Sequence, residues 1–129
     1  MIVVDASVLV DVLLRGPAAD GIVARWRADP DLHSVHLLDL EVLQVLRRMA
    51  LAGVIDGDRS VQAVEDFESL RVRRWSHAPL RSRIWDLRAN VTAYDAAYLA
   101  LAERLRCPLL TRDARLAKAP GHEARVEVV

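Results

Sequence analysis

Short apolar runs alternate along the chain with longer segments in which apolar residues recur every three or four positions. The short runs predict β-strands at residues 2–5, 33–36, 71–75, 108–111 and 125–129. The longer segments predict helices at residues 7–14, 18–28, 37–53, 58–70, 79–88 and 91–105, with a further short helix from Asp113. Because strands separated by helices form parallel sheets covered on both faces, we expect an α/β domain with three layers, α/β/α, around a mostly parallel sheet of about five strands.

Single residues mark several of the predicted helix ends. Ser7 is the expected N-cap of the first helix, and Asp58 introduces the helix at 58–70. Gly53 closes the helix at 37–53, since glycine readily adopts the left-handed conformation that ends many helices. Pro79 opens the helix at 79–88, because the first helical turn tolerates proline.

The composition is typical of a globular domain. The 129 residues are 53% hydrophobic and 28% charged, which suits one domain with a buried core, and we assign it to residues 1–129. No uncharged apolar run approaches the ~20 residues that span a bilayer. The N-terminal segment carries Asp5 and lacks the basic leader of a signal peptide. Cys107 is the only cysteine, which excludes an internal disulfide, so we expect a cytoplasmic protein.

The net charge does not identify a partner. Basic and acidic residues number 18 each, and Lys118 is the only lysine. Arginine binds phosphates and carboxylates better than lysine does, but a GC-rich genome produces the same bias. A neutral total does not predict a nucleic-acid-binding protein, so any such activity has to come from a local site.

Two carboxylates lie on helix faces that are otherwise apolar. Asp95 shares its predicted face with Val91, Tyr94, Tyr98, Leu99, Ala102 and Leu105. Glu41 lies in the same way on the apolar face of the helix at 37–53. A carboxylate on a core-facing stripe is costly to desolvate unless a positive charge balances it. Asp11 and Asp39 lie off these stripes, and we expect both to be solvated.

Two further acids follow predicted strands: Asp5 ends the first strand, and Asp113 follows the strand at 108–111. Ligands of open α/β sheets bind beyond the carboxyl ends of the strands, where the strand order reverses. If these two strands are neighbours, Asp5, Glu41, Asp95 and Asp113 meet in one cleft, where they cannot all stay ionised without a counter-charge. Hard divalent cations such as Mg²⁺ bind oxygen ligands, so we expect a divalent metal site. A structural role stays open, since Asp5 and Asp113 can each cap a helix.

The motifs that carry these acids resemble those of the PIN-domain ribonucleases, and most closely those of the VapC toxins of bacterial toxin–antitoxin pairs. They are "VVDASVLVDVLL", "LLDLEVLQVLRR", "TAYDAAYLALAERL" and "LLTRDARLAKA", and they cover nearly the full chain in order. The resemblance implies that Asp5, Glu41, Asp95 and Asp113 match the family's acidic quartet, which binds Mg²⁺ or Mn²⁺. It also implies that Ser7 and Thr111 match the small hydroxyl residues that orient these carboxylates.

The same resemblance implies an activity and partners. We expect a metal-dependent endoribonuclease that hydrolyses RNA phosphodiester bonds and leaves a 3′-hydroxyl and a 5′-phosphate. We also expect a homodimer, with apolar surface around the helices at 18–28 and 58–70 as the contact, and inhibition by a small VapB-like antitoxin. The antitoxin would place an arginine against the acids. Many relatives carry a proline shortly before the glutamate helix, where this chain has Val35 and His36.

Two other classes of function remain as alternatives. A receiver-like phosphoacceptor domain has similar length, but it needs paired acids after the first strand and an acid after the third, and this chain has neither. A non-catalytic binding module with the PIN fold would keep the architecture without the activity. A haloacid-dehalogenase-type phosphatase needs a D-x-D motif beginning at the acid after the first strand, but position 7 is serine. Nucleophilic hydrolases need a G-x-S-x-G motif, which does not occur.

The remaining polar and aromatic residues are weaker candidates. The four histidines lack metal-ligand spacing, although His36 could contact RNA. The tryptophans Trp26, Trp75 and Trp85 are expected in the core or at an interface. A set of arginines could guide an RNA backbone: Arg71, Arg73, Arg74, Arg81, Arg83 and Arg88.

Overall fold

A sheet of five parallel strands forms the centre of the protein in a computed structural model that describes residues 1–129. The strands are β1 (Ile2–Val4), β2 (Leu32–Val35), β3 (Arg73–Trp75), β4 (Leu109–Thr111) and β5 (Val126–Val128). Their order is β3-β2-β1-β4-β5, and each neighbouring pair is parallel. The predicted fold class, a three-layer α/β/α domain, is therefore confirmed.

Helices connect successive strands and cover the sheet. They are α1 (Ala6–Leu13), α2 (Ala19–Ala28), α3 (Leu37–Leu51), α4 (Gly57–Ser69), α5 (Arg81–Asp86), α6 (Ala93–Leu105) and α7 (Ala114–Lys118). A 3₁₀ turn at Ala78–Leu80 precedes α5 and contains Pro79, where the sequence predicted one continuous helix. None of these helices combines the length and the apolar character that a membrane span requires.

The strand order reverses beside the central strand β1. From β1 the chain moves outward to β2 and β3, and it then returns to the other side of β1 to form β4 and β5. Val4 lies opposite Leu110 in the β1–β4 register, so both strands end at the same edge of the sheet. Residues that follow β1 and β4 are consequently neighbours at the point where α/β sheets bind ligands.

Helix α6 is buried around its whole circumference in its middle turns. Seven consecutive residues, from Ala96 to Ala102, are buried. Four of the seven are alanines, and their small side chains allow other elements to approach the helix closely. Tyr94, in contrast, is 63% exposed, so its predicted place on a core-facing stripe is wrong.

Several helix starts differ from the predicted ones because a neighbouring residue provides the cap. The Asp5 carboxylate, not Ser7, caps α1 by accepting the Val8 N–H at 3.1 Å. Asp56, not Asp58, caps α4. Thr92 caps α6, which leaves Val91 outside the helix. Gly53 (φ 70°) does follow α3 in the left-handed conformation, and Asp113 does cap α7.

Two acids predicted to be solvated make specific contacts instead. The Asp11 side chain is only 10% exposed, accepts the Ala18 N–H at 3.0 Å, and lies 3.4 Å from the Arg112 guanidinium. Asp39 stays at the surface, but it accepts two N–H groups of Arg74, the shorter bond being 2.7 Å. The Asp11 prediction failed because the turn after α1 folds back over this carboxylate.

The tryptophans occupy three different environments. Trp26 is buried, and the half-buried Trp75 donates its indole N–H to Nδ1 of the buried His33 at 2.9 Å. Trp85 is 67% exposed and lies outside the core, so of the two places predicted for it only an interface stays a prediction.

Glu103 joins three parts of the fold, and we predict that it stabilises them in a pH-dependent way. It accepts Arg83 Nε at 2.7 Å, Arg83 Nη2 at 2.9 Å and the Glu123 N–H at 2.8 Å. The Arg83 hydrogen bonds, followed by the Glu123 N–H and the Arg83 charge, lower the pKa of Glu103 despite its burial. Glu103→Gln should lower the free energy of unfolding at pH 7 by about 1.5–3 kcal/mol, the range for hydrogen bonds to charged groups.

The sign of the pH dependence follows from the lowered pKa. Stability from a carboxylate with a depressed folded-state pKa is fully present above the unfolded pKa and is lost as the pH falls through the folded pKa. Urea denaturation of parent and Glu103→Gln at pH 7 and pH 3 should therefore show a difference that shrinks in acid. Exposed Glu68, changed to Gln, is the control. Equal effects of the two variants, or a difference that persists in acid, would contradict this role.

Candidate active-site cleft

A cleft of about 910 Å³ opens beyond the carboxyl ends of β1 and β4. All four acids singled out in the sequence, Asp5, Glu41, Asp95 and Asp113, line it. Asp5 directly follows β1, and Asp113 lies two residues after β4. Glu41 comes from the second turn of α3 and Asp95 from the first turn of α6. The sheet order and two helix starts thus bring four distant carboxylates into one cleft.

Asp5 is the most buried of the four acids, with 7% of its surface exposed. Ser7 Oγ donates to one carboxylate oxygen and Thr111 Oγ1 to the other, each at 2.5 Å. Burial raises the pKa of Asp5, and the hydrogen bonds from Ser7, Thr111 and Val8 act in the opposite direction. The carboxylate is consequently held in one orientation at the base of the cleft.

The two hydroxyls that hold Asp5 are themselves oriented by the backbone. Ser7 Oγ accepts the Arg112 N–H at 2.9 Å, and Thr111 Oγ1 accepts the Asp113 N–H at 3.0 Å. Because each hydroxyl accepts from a backbone N–H, its proton is free to point at Asp5. The contacts expected of Ser7 and Thr111 are therefore present, and they connect α1 to the loop after β4.

Glu41 is held by Tyr98, whose hydroxyl donates to the Glu41 carboxylate at 2.6 Å. Tyr98 is only 2% exposed and Glu41 is half-buried, so the bond is shielded on the Tyr98 side and open to the cleft on the Glu41 side. Burial is the largest effect that raises the pKa of Glu41, and the charges of Asp5 and Asp95 raise it further against the Tyr98 hydrogen bond. The sequence interpretation treated Tyr98 as apolar core and missed this bond. Its spacing of three residues from Asp95, on one helix face, was the available signal.

Asp95 and Asp113 lie in different electrostatic environments. Burial raises the pKa of Asp95, and the charge of Asp113 adds to this effect. Asp113 accepts Arg115 Nη2 at 2.6 Å and Nε at 3.0 Å, and these hydrogen bonds lower its pKa. The Arg115 side chain is 89% exposed, so water screens the pair and Arg115 is free to leave it. Arg115, two residues after Asp113, was also missed in the sequence.

The other three acids have no comparable cation. No arginine, lysine or histidine forms an ion pair within 4.0 Å of Asp5, Glu41 or Asp95. The charges of Asp5 and Asp95 raise the pKa of Glu41, and the charge of Asp113 raises the pKa of Asp95. The only positive charge that acts on Asp95 is that of Arg115, from beyond ion-pair distance, and its effect on the Asp95 pKa is smaller than the opposing effects of burial and Asp113.

The donor set suits a hard divalent cation, but the carboxylates do not yet form a ligand shell. Oxygen donors without sulfur or imidazole are the ligands that Mg²⁺ and Mn²⁺ prefer. In the arrangement that the structure shows, no three acidic, histidine or cysteine side chains are close enough together to hold a metal ion. The acids line one cleft, and their side chains would have to turn toward a common point to bind an ion.

The start of α3, where many relatives carry proline, depends on a histidine from elsewhere in the chain. The Leu37 N–H donates to Nε2 of His77 at 3.2 Å. Burial, with a smaller effect of the charge of His36, lowers the pKa of His77 and so favours its neutral, accepting form. His36 itself is exposed and does not line the cleft, so its contact with RNA stays a prediction.

Comparisons with known proteins agree with the fold and show the family. A family model described as PIN domain matches residues 2–122. The chain is 40% identical to Ribonuclease VapC12 of Mycobacterium tuberculosis over 129 residues, which is 100% of this chain and 99% of that protein. The VapC12 match covers all four motifs that carry the acids.

Two solved structures share the fold. Mycobacterium tuberculosis VapC20, a sarcin–ricin loop cleaving toxin, has a TM-score of 0.68 at 21% identity, covering 97% of this chain and 99% of that chain. VapBC2 from Rickettsia felis, bound to a DNA fragment from its promoter, has a TM-score of 0.68 at 11% identity, covering 99% of this chain and 98% of that chain. At these identities the similarity concerns architecture alone.

The raised pKa of Asp95 leads to a stability prediction for the metal-free protein. Asp95→Asn removes a charge that the folded state disfavours and keeps the side-chain volume, so it should stabilise the protein at neutral pH by about 1 kcal/mol or less. A raised folded-state pKa destabilises above that pKa, and the penalty disappears as the pH falls toward the unfolded value. The advantage of Asp95→Asn should therefore be present at pH 7 and vanish near pH 3.

Thermal melting in EDTA measures this difference. Asp66→Asn is the control, since Asp66 is exposed on α4 and does not line the cleft. A structural ion pair at Asp95 would give the opposite result, because the substitution would leave a partner unpaired. Strong destabilisation by Asp95→Asn at pH 7 would thus overturn the electrostatic account.

Proposed function

Because the chain belongs to the PIN domain family, we propose that it is a metal-dependent endoribonuclease that acts as the toxin of a type II toxin–antitoxin system. The observation that carries the proposal is the cleft, in which Asp5, Glu41 and Asp95 form no ion pair. The chain is also 40% identical over its full length to a protein named Ribonuclease VapC12. The substrate is the phosphodiester backbone of RNA.

Asp5, Glu41, Asp95 and Asp113 would hold Mg²⁺ or Mn²⁺. Bound there, such an ion supplies a water activated near neutral pH and neutralises charge on the phosphate. The chain's own residues prepare this arrangement: Ser7 and Thr111 keep both Asp5 oxygens oriented, and a fixed ligand binds with less loss of freedom than a mobile one. They would thereby act as positioning residues.

Tyr98 and Arg115 have distinct roles in this proposal. Tyr98 anchors Glu41 so that the carboxylate faces the cleft instead of packing against the core. Arg115 lines the same cleft and is nearly fully exposed. Its guanidinium could therefore leave Asp113 and pair with a substrate phosphate instead. That exchange would free Asp113 to turn toward the other acids.

The receiver-like alternative lacks its reactive group. Strand β3 ends at Trp75 and is followed by Ser76 and His77, so no carboxylate lies where a phosphoacceptor is needed. A non-catalytic PIN-fold module differs from our proposal only in activity, and the cleavage assay below separates the two.

We also propose a VapB-like antitoxin as partner, which would bind in the cleft. Leu40, Leu43 and Tyr94 are exposed apolar residues that line the cleft beside the acids. A peptide with apolar side chains and one arginine complements this wall, since the guanidinium would pair with the carboxylates that lack a cation.

We expect metal-dependent cleavage of RNA that depends on Asp5. Total bacterial RNA incubated with the purified protein and Mn²⁺ should show new 5′-phosphate ends at discrete sites, mapped by sequencing, and EDTA should abolish them. Asp5→Asn should abolish them too, because the amide keeps the shape but loses the charge that binds the ion. Asp66→Asn is the matched control and should cleave like the parent. Cleavage undiminished by EDTA would contradict a metal mechanism.

The protein should form a homodimer in solution. Of the two helices expected at the contact, α4 carries exposed Val61, whereas α2 carries none of the large exposed hydrophobic residues. Leu51 and Val54, at the end of α3, extend the apolar surface near α4. Light scattering at micromolar concentration should give twice the 14.4 kDa chain mass, and Val61→Arg should shift it toward the monomer. A monomer mass for the parent would remove this proposal.

A further inference from the structure

The active-site cleft continues past Asp95 and Asp113 into a second groove of about 710 Å³. The cleft and this groove share Asp95, Asp113, Arg115 and Leu116, so they form one continuous passage. The new part is lined by Arg88, Asn90, Val91, Thr92, Lys118 and Ala119. We call this part the basic groove.

The basic groove holds cations that the protein does not neutralise. Arg88 and Lys118 are exposed, and neither has a carboxylate oxygen within 4.0 Å. Of the other arginines considered for RNA contact, Arg74 pairs with Asp39 and Arg83 with Glu103. Arg71, Arg73 and Arg81 form no ion pair, but they line neither the cleft nor this groove. Asp95 and Asp113 line both parts of the passage, and the free cations Arg88 and Lys118 line only the basic groove. This order suits a polyanion with one phosphate at the acids and the next ones at the cations.

An exposed aromatic ring lies next to the basic groove. The Arg88 guanidinium is 4.7 Å from the centroid of the Trp85 ring, and Arg88 Nη1 donates to the Trp85 carbonyl at 2.9 Å. These contacts hold Arg88 in place while 67% of Trp85 stays exposed. Proteins bind unpaired nucleotides with aromatic rings and arginine planes of this kind, because every base has a face that stacks.

We propose that the basic groove binds one flank of a single-stranded RNA substrate. Arg88 and Lys118 contact the backbone phosphates next to the scissile one, and Trp85 stacks an unpaired base beyond them. The inference rests on the proposed ribonuclease function and adds the direction in which the strand leaves the active site. All three are binding residues and take no part in the chemical step.

The test measures RNA binding as a function of salt. In an Asp5→Asn background, which should not cleave, a fluorescein-labelled single strand of about 12 nucleotides is titrated with protein at several KCl concentrations. The pair Arg88→Gln with Lys118→Gln should weaken binding roughly 10-fold at low salt and reduce the slope of log affinity against log salt by about 0.7 per lost phosphate contact.

A matched control removes the same charge elsewhere. Arg27 on α2 and Arg104 near the end of α6 are also exposed, and neither forms an ion pair. Arg27→Gln with Arg104→Gln should leave the salt slope at the parent value, and thermal melting should show both pairs folded. If both double variants lost the same amount of salt slope, net charge alone would explain the salt dependence of RNA binding. That result would contradict RNA binding in the basic groove.

A second arm examines stacking and turnover. Trp85→Ala should weaken binding of the single strand, and Trp85→Phe should restore most of it, because phenylalanine keeps an aromatic face. In the cleaving protein, Arg88→Gln with Lys118→Gln should raise KM while kcat stays near the parent value, since uniform binding is lost. Binding of a duplex of the same sequence with equal strength would overturn the single-strand assignment.

The outcomes separate this inference from the proposed function. If the parent cleaves RNA and the Arg88→Gln, Lys118→Gln variant binds RNA like the parent, the proposed ribonuclease function holds and the proposed RNA site in the basic groove is wrong. An acidic protein segment would then be the ligand that the groove's cations fit. If the parent neither binds nor cleaves RNA, both proposals are wrong.

Discussion

The buried carboxylate of Asp5 is the constraint on which the rest of the site depends. It caps α1, and it receives hydroxyl hydrogen bonds from Ser7 on that helix and from Thr111 at the end of the neighbouring strand β4. These hydroxyls accept backbone N–H groups of the loop that carries Asp113. One side chain therefore fixes how β1, α1 and the loop after β4 meet. Burying it costs free energy that only dense hydrogen bonding, or a bound cation, can offset.

The charges around Asp5 are arranged asymmetrically. Glu41 has a neutral hydrogen-bond donor in Tyr98, Asp113 has an exposed cation in Arg115, and Asp95 has no ion pair. Asp5, Glu41 and Asp95 thus have no ion-pair partner, although Arg47 and Arg48 line the cleft and Arg88 and Lys118 line the adjoining basic groove. Such a distribution favours a ligand that combines a cation at the acids with a chain of phosphates alongside. The proposed ribonuclease activity accounts for both parts.

Patterns that depend on neighbouring residues in the chain were predictable. Strand and helix positions were largely confirmed, since their apolar periodicity directly reflects burial. Predictions that depend on which element covers a face did not hold. Tyr94 was placed in the core by periodicity, yet it lies in the first turn of α6, where the helix extends past the sheet into the cleft. Asp11 was expected in solvent, yet the following turn covers it.

The sequence alone determined which acids line the cleft, because acids on apolar faces and after strands are visible without coordinates. It also determined the family, through four motifs in order along nearly the whole chain. Only the tertiary structure decided how these acids are paired: Tyr98 with Glu41, Arg115 with Asp113, and two hydroxyls with Asp5. It also decided that Arg88 and Lys118 share one groove with Asp95. Such contacts join residues far apart in the chain, and their distances depend on strand order and helix packing, which local patterns do not encode.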